Sequence, residues 1–199
     1  MFSPLRGVRF RVRRFGRTVN GEIAMDHFTF WDSYREGFER LPTDADRVSY
    51  IRKIISLALD GKEPEDDHSD LKGLHILVAE DNDINWEIIS AMLSMFGITT
   101  DRAENGKVCV DMISAAEEGS YTLIFMDVQM PEMNGLDATR AIRKLENPWA
   151  SSIPIVAMTA DAFSENITAC LDAGMNGHIA KPIDVKLVIR EIRRIKEGR

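Results

Sequence analysis

The chain has 199 residues, 44% of them hydrophobic, enough for one packed domain with an extension or for two small domains. A formal net charge of -7 argues against nucleic-acid binding by the chain as a whole, and no apolar run reaches the roughly 20 residues needed to span a bilayer. The early arginines lack a following apolar stretch, so no secretory signal is read. Two cysteines, Cys109 and Cys170, lie in helical patterns without metal-ligand spacing and fit buried thiols in a reducing, cytoplasmic setting.

Residues 1–21 hold Arg6, Arg9, Arg11, Arg13, Arg14 and Arg17 and no acid. The alternation across residues 9–13 predicts a short amphipathic strand. Trp31, Tyr34, Phe38 and Leu41 recur at helical spacing, Pro42 interrupts, and Val48, Ile51, Ile54, Ile55 and Ala58 resume the pattern. Residues 1–59 are therefore an extension with a short strand and a helical pair, and DGKEPEDDHSD (60–70) opens an acidic linker that runs to residue 73.

From residue 74 the texture alternates between strand and helix. HILVA (75–79) is a short apolar run. Ile84, Ile88, Ile89, Met92, Leu93 and Phe96 share one helical face that Gly97 terminates. ITTDRA (98–103) reads as an edge-like strand, and Asn105 caps a helix carrying Val108, Met112 and Ile113, with Gly119 beyond it. LIFM (123–126) is a third strand, followed by a helix that Asn134 caps, with Leu136, Ile142 and Leu145. IPIVAM (153–158) is the fourth strand, residues 164–173 a helix stopped by Gly174, and GHIA (177–180) the fifth strand. Asp184 caps a last helix with Leu187, Val188, Ile192 and Ile195 turned inward. Five strands alternating with five helices imply an α/β fold: a doubly wound, flavodoxin-like parallel sheet in the order 2-1-3-4-5 with helices on both faces.

In such sheets ligands bind beyond the carboxyl ends of the strands, near the switch point. Glu80 and Asp81 follow the first strand, Asp127 the third, Thr159 the fourth and Lys181 the fifth. Each is individually unremarkable as a turn residue. Together they bring three carboxylates, a hydroxyl and an ammonium to one crevice. Carboxylates packed together repel, and a divalent cation removes that cost. Oxygen-only ligands favour Mg²⁺. A positioned carboxylate nucleophile and neutralised charge are what metal-assisted phosphoryl transfer needs. Asp127, standing singly after a rigid apolar run, is the candidate nucleophile. Glu80 and Asp81 are the metal ligands, Lys181 the partner of the phosphoryl oxygens, and Thr159 a hydrogen-bonding hydroxyl.

ILVAEDNDIN (76–85), LIFMDVQMPEMNG (123–135), IPIVAMTA (153–160) and AGMNGHIAKPID (173–184) resemble the receiver domain of two-component response regulators. The wording is closest to receivers at the C-termini of hybrid sensor histidine kinases. The resemblance covers residues 74 to about 197 and sets domain limits of 1–59, 60–73 and 74–199. It implies that Asp127 is the phosphoacceptor, loaded in a phosphorelay from a histidine kinase or a histidine phosphotransfer protein. It implies that Glu80, Asp81, Asp127 and the backbone carbonyl of Gln129 hold Mg²⁺, that Thr159 and Lys181 complete the catalytic set, and that Pro182 follows a cis peptide. Gln129 and Asp161 fall where the family tunes dephosphorylation. The switch position, three residues before the lysine, is commonly Tyr or Phe in the family but is His178 here. Trp86 stands where related receivers often carry a smaller or amide side chain.

No classical enzyme activity and no nucleic-acid partner are expected, and the receiver or the N-terminal helices offer a surface for a dimer; the helical pair, which the resemblance does not cover, reads as a docking or dimerisation element. No ATP-binding glycine motif and no phosphoacceptor-histidine helix occur, and neither His27 nor His68 sits in such a context, so the chain is not itself read as a kinase. The alternative is a C-terminal fragment of a hybrid histidine kinase. An Mg²⁺-dependent phosphohydrolase with an Asp nucleophile is the enzymatic alternative. Such enzymes place a second Asp two residues after the nucleophile, where this chain has Gln129. A degenerate receiver acting only through contacts is the structural alternative.

Overall fold

The computed structural model describes residues 17–19, 22–24, 68–160, 164–181 and 183–198. The strand expected over residues 9–13, the helical pair over 28–59 and most of the acidic linker lie outside the described residues, as do Asp161 and Pro182. A short hairpin that the residue pattern did not suggest pairs β1 (Arg17–Val19) antiparallel with β2 (Glu22–Ala24). Its two strands flank Asn20-Gly21, the sequence pair that most favours a tight hairpin.

The main sheet comprises β3 (His75–Ala79), β4 (Thr99–Ala103), β5 (Leu123–Asp127), β6 (Ile155–Thr159) and β7 (Gly177–Ala180). All four pairings are parallel and the spatial order is β4-β3-β5-β6-β7. Counted within this sheet, that is 2-1-3-4-5, as the alternating pattern predicts. Between the strands run α1 (Asp83–Ser94), α2 (Gly106–Ala115), α3 (Gly135–Ile142), α4 (Pro148–Ser152) and α5 (Ser164–Ala173), and α6 (Val185–Lys196) follows β7.

The pleat sends successive strand residues to opposite faces. Ile76, Val78, Leu123, Phe125, Val156 and Met158 pack with Ile89, Met92 and Leu93 of α1 and with Val188, Ile189 and Ile192 of α6. Leu77, Ala79, Ile124, Met126, Ile155 and Ala157 pack with α2, α3 and α5 through Cys109, Ile113, Ala138, Ile142 and Cys170. Both cysteines are free, and burial pushes the Cys109 thiol up to about 12, so it is packing material rather than a nucleophile.

Helix starts follow the expected chemistry. Asn105, Asn134 and Asp184 accept hydrogen bonds from the backbone N–H groups of Val108, Asp137 and Lys186. Asn82 caps α1 in the same way, accepting from Asn85. Among the described residues the one α-helix not expected is α4. Asn147 caps it and Pro148 occupies its first turn, a placement in which the missing N–H costs nothing. The helix takes up residues just before the fourth strand, so β6 starts at Ile155 rather than Ile153 and runs through Thr159.

Residues 68–73, at the end of the segment read as linker, pack on the sheet domain. Leu71 is fully buried in the α1/α6 core. The Asp70 carboxylate pairs with the Arg193 guanidinium through two bonds of 3.1 and 3.2 Å, and Lys196 donates to the Asp70 carbonyl. The His68 ring lies edge-on to Phe96 at 4.8 Å.

Candidate functional site: an acidic pocket at the strand ends

β3 and β5 are adjacent in the sheet and end at the same edge, with Ala79 opposite Met126. This register brings Glu80, one residue past β3, beside Asp127, the last residue of β5. Both are buried: Glu80 is 0% and Asp127 6% exposed, an unusual cost for carboxylates that demands compensation. Lys181, one residue past β7, supplies it. Its Nζ donates to Glu80 Oε2 at 2.7 Å and to Asp127 Oδ2 at 2.6 Å. The second Asp127 oxygen, Oδ1, accepts the Gln129 backbone N–H at 3.1 Å.

Asp81 is exposed at the pocket mouth. Glu80, Asp81 and Asp127 each offer an oxygen, and these lie within 4.8 Å of one another. Thr159 ends β6 and is buried, next to Met158, which stands opposite Asp127 in the register. Its carbonyl accepts the Lys181 N–H at 2.7 Å, tying the ends of β6 and β7 together.

Burial pushes the Asp127 carboxyl above the usual carboxylate range, with the Glu80 charge adding to the rise and Lys181 opposing it. Burial alone would lower Lys181. The hydrogen bonds and charges of Asp127 and Glu80 outweigh that and raise it. Three carboxylates against one ammonium leave a formal charge of -3 + 1 = -2 with all groups ionised. An all-oxygen donor set with that excess fits a hard divalent cation.

The loop after β5 is shaped around Asp127. Met133 N–H bonds back to the Pro131 carbonyl at 2.7 Å across Glu132, whose φ of 62° is left-handed. Gly135 then donates its N–H to Val128 at 3.0 Å. A Cβ there would overlap the Asp127 carbonyl and approach Met126 Cγ at 2.9 Å, so a glycine is required for α3 to start against the strand end.

The expected site residues Glu80, Asp81, Asp127, Thr159 and Lys181 thus come together. Gln129 presents its backbone to Asp127 and its side chain to solvent. His178 is exposed, on the outer strand β7. Trp86 is half-buried and packs on the α1/α6 core. Two further residues hold the acids. Asn85 Nδ2 donates to Glu80 Oε1 at 2.9 Å. Arg102 of β4 donates to the carbonyls of Glu80 and Asp81 and to the Asp83 carboxylate. Asn85 could have been found from its position one helical turn inside EDNDIN. Arg102 carries no local signal: the predicted order sets its strand beside β3, but not the turn of its guanidinium onto the Glu80 and Asp81 carbonyls.

The family model described as "Response regulator receiver domain" matches residues 76–193. The chain belongs to this family. Histidine kinase 1 of Arabidopsis thaliana is 34% identical to it over 171 residues, 71% of this chain and 14% of that protein. The receiver domain of sensor histidine kinase PA1611 from Pseudomonas aeruginosa is 35% identical, with a TM-score of 0.56, covering 62% of this chain and 98% of that one. Its crystal structure has a magnesium ion coordinated in the active-site cleft. The receiver domain of the response regulator Ssk1, seen in co-crystals with the histidine phosphotransfer protein Ypd1 of Saccharomyces cerevisiae, is 29% identical with a TM-score of 0.55 over 61% of this chain and 87% of that one. The chain spans 8 to 15% of the length of the histidine kinases it matches. What it shares with them is a receiver domain of two-component signalling. No helix among the described residues of this receiver is long and apolar enough to cross a membrane.

Proposed function

We propose that this receiver is a phosphorelay acceptor in which Asp127 takes a phosphoryl group from the phosphohistidine of a kinase or a histidine phosphotransfer protein. One observation carries the reading: a buried carboxylate at the end of the central strand, bridged by Lys181 to Glu80 inside an acidic cluster. In the transfer an Asp127 oxygen forms the new P–O bond while the P–N bond to the donor imidazole breaks. Lys181 is already aimed at Asp127 and neutralises charge on the phosphoryl oxygens. Thr159, at the neighbouring strand end, supplies a hydroxyl to the phosphorylated form. Gln129 and Asp161 hold the sequence positions that set how fast the phosphoryl group is lost in the family, and His178 takes the switch position that is commonly aromatic there.

Glu80, Asp81, Asp127 and the Gln129 carbonyl would hold Mg²⁺, which supplies charge neutralisation to the transfer when bound. The domain catalyses its own loading and unloading rather than turning over a separate substrate. The receiver spans 74–199, residues 60–73 are a linker whose end, from residue 68, packs against it, and 1–59 is an extension, in the manner of a hybrid-kinase C-terminus. The two free thiols fit a reducing, cytoplasmic setting.

Incubation with Mg²⁺ and a small acyl phosphate should add one phosphoryl group by intact mass, and chelation should prevent it. Uptake by Asp127→Asn at the wild-type rate would overturn the assignment.

A further inference from the structure

Arg102 lies on the edge strand β4, outside the acid cluster, yet its side chain reaches the segment that carries two of the three acids. Nε donates to the Glu80 carbonyl at 3.1 Å, Nη2 to the Asp81 carbonyl at 2.9 Å, and Nη1 to the Asp83 carboxylate at 2.7 Å. The side chain is only 18% exposed, so these bonds are largely shielded from water. The segment needs such support. Its last ladder bond is Glu80 N–H to Ala103 at 3.0 Å, after which β4 ends and α1 has not begun. The carbonyls of residues 80 and 81 therefore have no strand partner, and one planar guanidinium takes both.

We propose that Arg102 is a positioning residue for the cation site, holding the backbone of Glu80 and Asp81 so that their carboxylates stay gathered with Asp127. This rests on the reading of those three acids as the Mg²⁺ ligands. Like charges drawn together repel, and a turn held only by its own residues would relax by letting Asp81 swing away. Arg102 resists that through the main chain, while Asn85 fixes the Glu80 side chain from α1 at 2.9 Å. The cation then meets an assembled set of ligands instead of spending binding energy to gather them.

The sign of the effect separates positioning from simple charge. Arg102 is a cation beside a cation site, so through electrostatics alone its removal would tighten Mg²⁺ binding. Through positioning, removal weakens it. Calorimetric Mg²⁺ titration of the full chain should show Arg102→Ala binding about tenfold more weakly than wild type. Arg102→Lys, which keeps the charge and loses the fork, should be weakened nearly as much. Saturating Mg²⁺ should return phosphorylation by acyl phosphate in both variants close to the wild-type maximal rate. Arg143→Met, which loosens the opposite part of the domain, serves as the stability control and should bind Mg²⁺ like wild type. If Arg102→Ala does not fold, Arg102→Lys carries the test. Binding by the Arg102 variants as tight as wild type, or tighter, overturns the proposal and leaves the site assignment standing. A wild-type protein that binds no Mg²⁺ overturns the site assignment itself.

Discussion

Lys181 Nζ stands 2.6 Å from Asp127 Oδ2 and 2.7 Å from Glu80 Oε2, so one ammonium bridges two buried carboxylates contributed by different strand ends. The pair with Asp127 is aimed at the atom that would receive a phosphoryl group, whereas the pair with Glu80 anchors the lysine. Lys181→Met keeps most of the volume and removes the charge. A charge-assisted hydrogen bond of this kind contributes about 1.5–3 kcal/mol, so phosphorylation by acyl phosphate should slow by roughly tenfold to a hundredfold. Mg²⁺ binding should persist or tighten, because a competing cation has left the cluster. Rates from rapid-mixing fluorescence, set beside a calorimetric Mg²⁺ titration, check both. Unaltered loading kinetics would remove Lys181 from the transfer step.

The raised Asp127 pKa has a sign that can be tested in metal-free buffer. Its ordinary value is 3.8, and burial chiefly lifts the folded value above that. The folded state thus holds this proton more tightly than the unfolded chain. Stability linked to the group is complete below 3.8 and is lost as pH rises through the folded pKa. Asp127→Asn cannot ionise there. Its stability relative to wild type should therefore grow as pH climbs through that window and level off above it. Urea melts with chelator at a series of pH values measure the difference. Added Mg²⁺ should restore the wild type and not the variant. A gap that stays flat, or shrinks with rising pH, contradicts the cause given for the shift.

The residue pattern made the sheet legible because each strand is a short apolar run set between helical periods, and GHIA is recovered residue for residue as β7. The site was legible for a related reason: strand order converts chain position into proximity, so Glu80, Asp127 and Lys181 could be gathered before any distance was known. Side chains that serve the site through main-chain carbonyls were not legible. Arg102 lies beside Glu80 as the predicted order requires, but nothing in the pattern aims its guanidinium at the Glu80 and Asp81 carbonyls. α4 escaped notice because five residues carry too little periodicity, although Asn147-Pro148 is a helix-start signal. The β1–β2 hairpin was not legible because strands of three residues, RTV and EIA, are too short to show an alternation, although Asn20-Gly21 between them favours a tight hairpin.

Gly135 tests how closely α3 must approach the acceptor. In Gly135→Ala the new methyl meets the Asp127 main chain and Met126 Cγ, both fully packed, so the strand end or the helix start has to shift. Overpacking of this kind costs about 1–3 kcal/mol. Because the moving atoms belong to Asp127 itself, the variant should lose phosphorylation rate beyond what its melting temperature suggests. A variant that melts earlier yet loads at the wild-type rate would show that the helix yields and the aspartate does not.

Arg143 makes a stability prediction remote from the site. Its guanidinium, half-buried and with no carboxylate among its bonded partners, donates to the carbonyls of Ser151, Ile153 and Gly174 and to Asn176 Oδ1, at 2.9 to 3.0 Å. It pins the end of α3 to the segments before β6 and β7, and burial lowers its pKa. Arg143→Met leaves these acceptors without their donor, at a cost of about 3 kcal/mol. For a chain of this size each kcal/mol corresponds to about 2–4 °C in melting temperature, so calorimetry should show a fall of roughly 6–12 °C. Mg²⁺ affinity and loading rate, measured well below the transition, should match wild type. The acid cluster is held by β3, β5 and β7 and by Arg102 and Asn85, none of which Arg143 touches through its side-chain bonds. A loss of Mg²⁺ binding in Arg143→Met would show instead that the β6–β7 end of the sheet sets the geometry of the acids through Lys181.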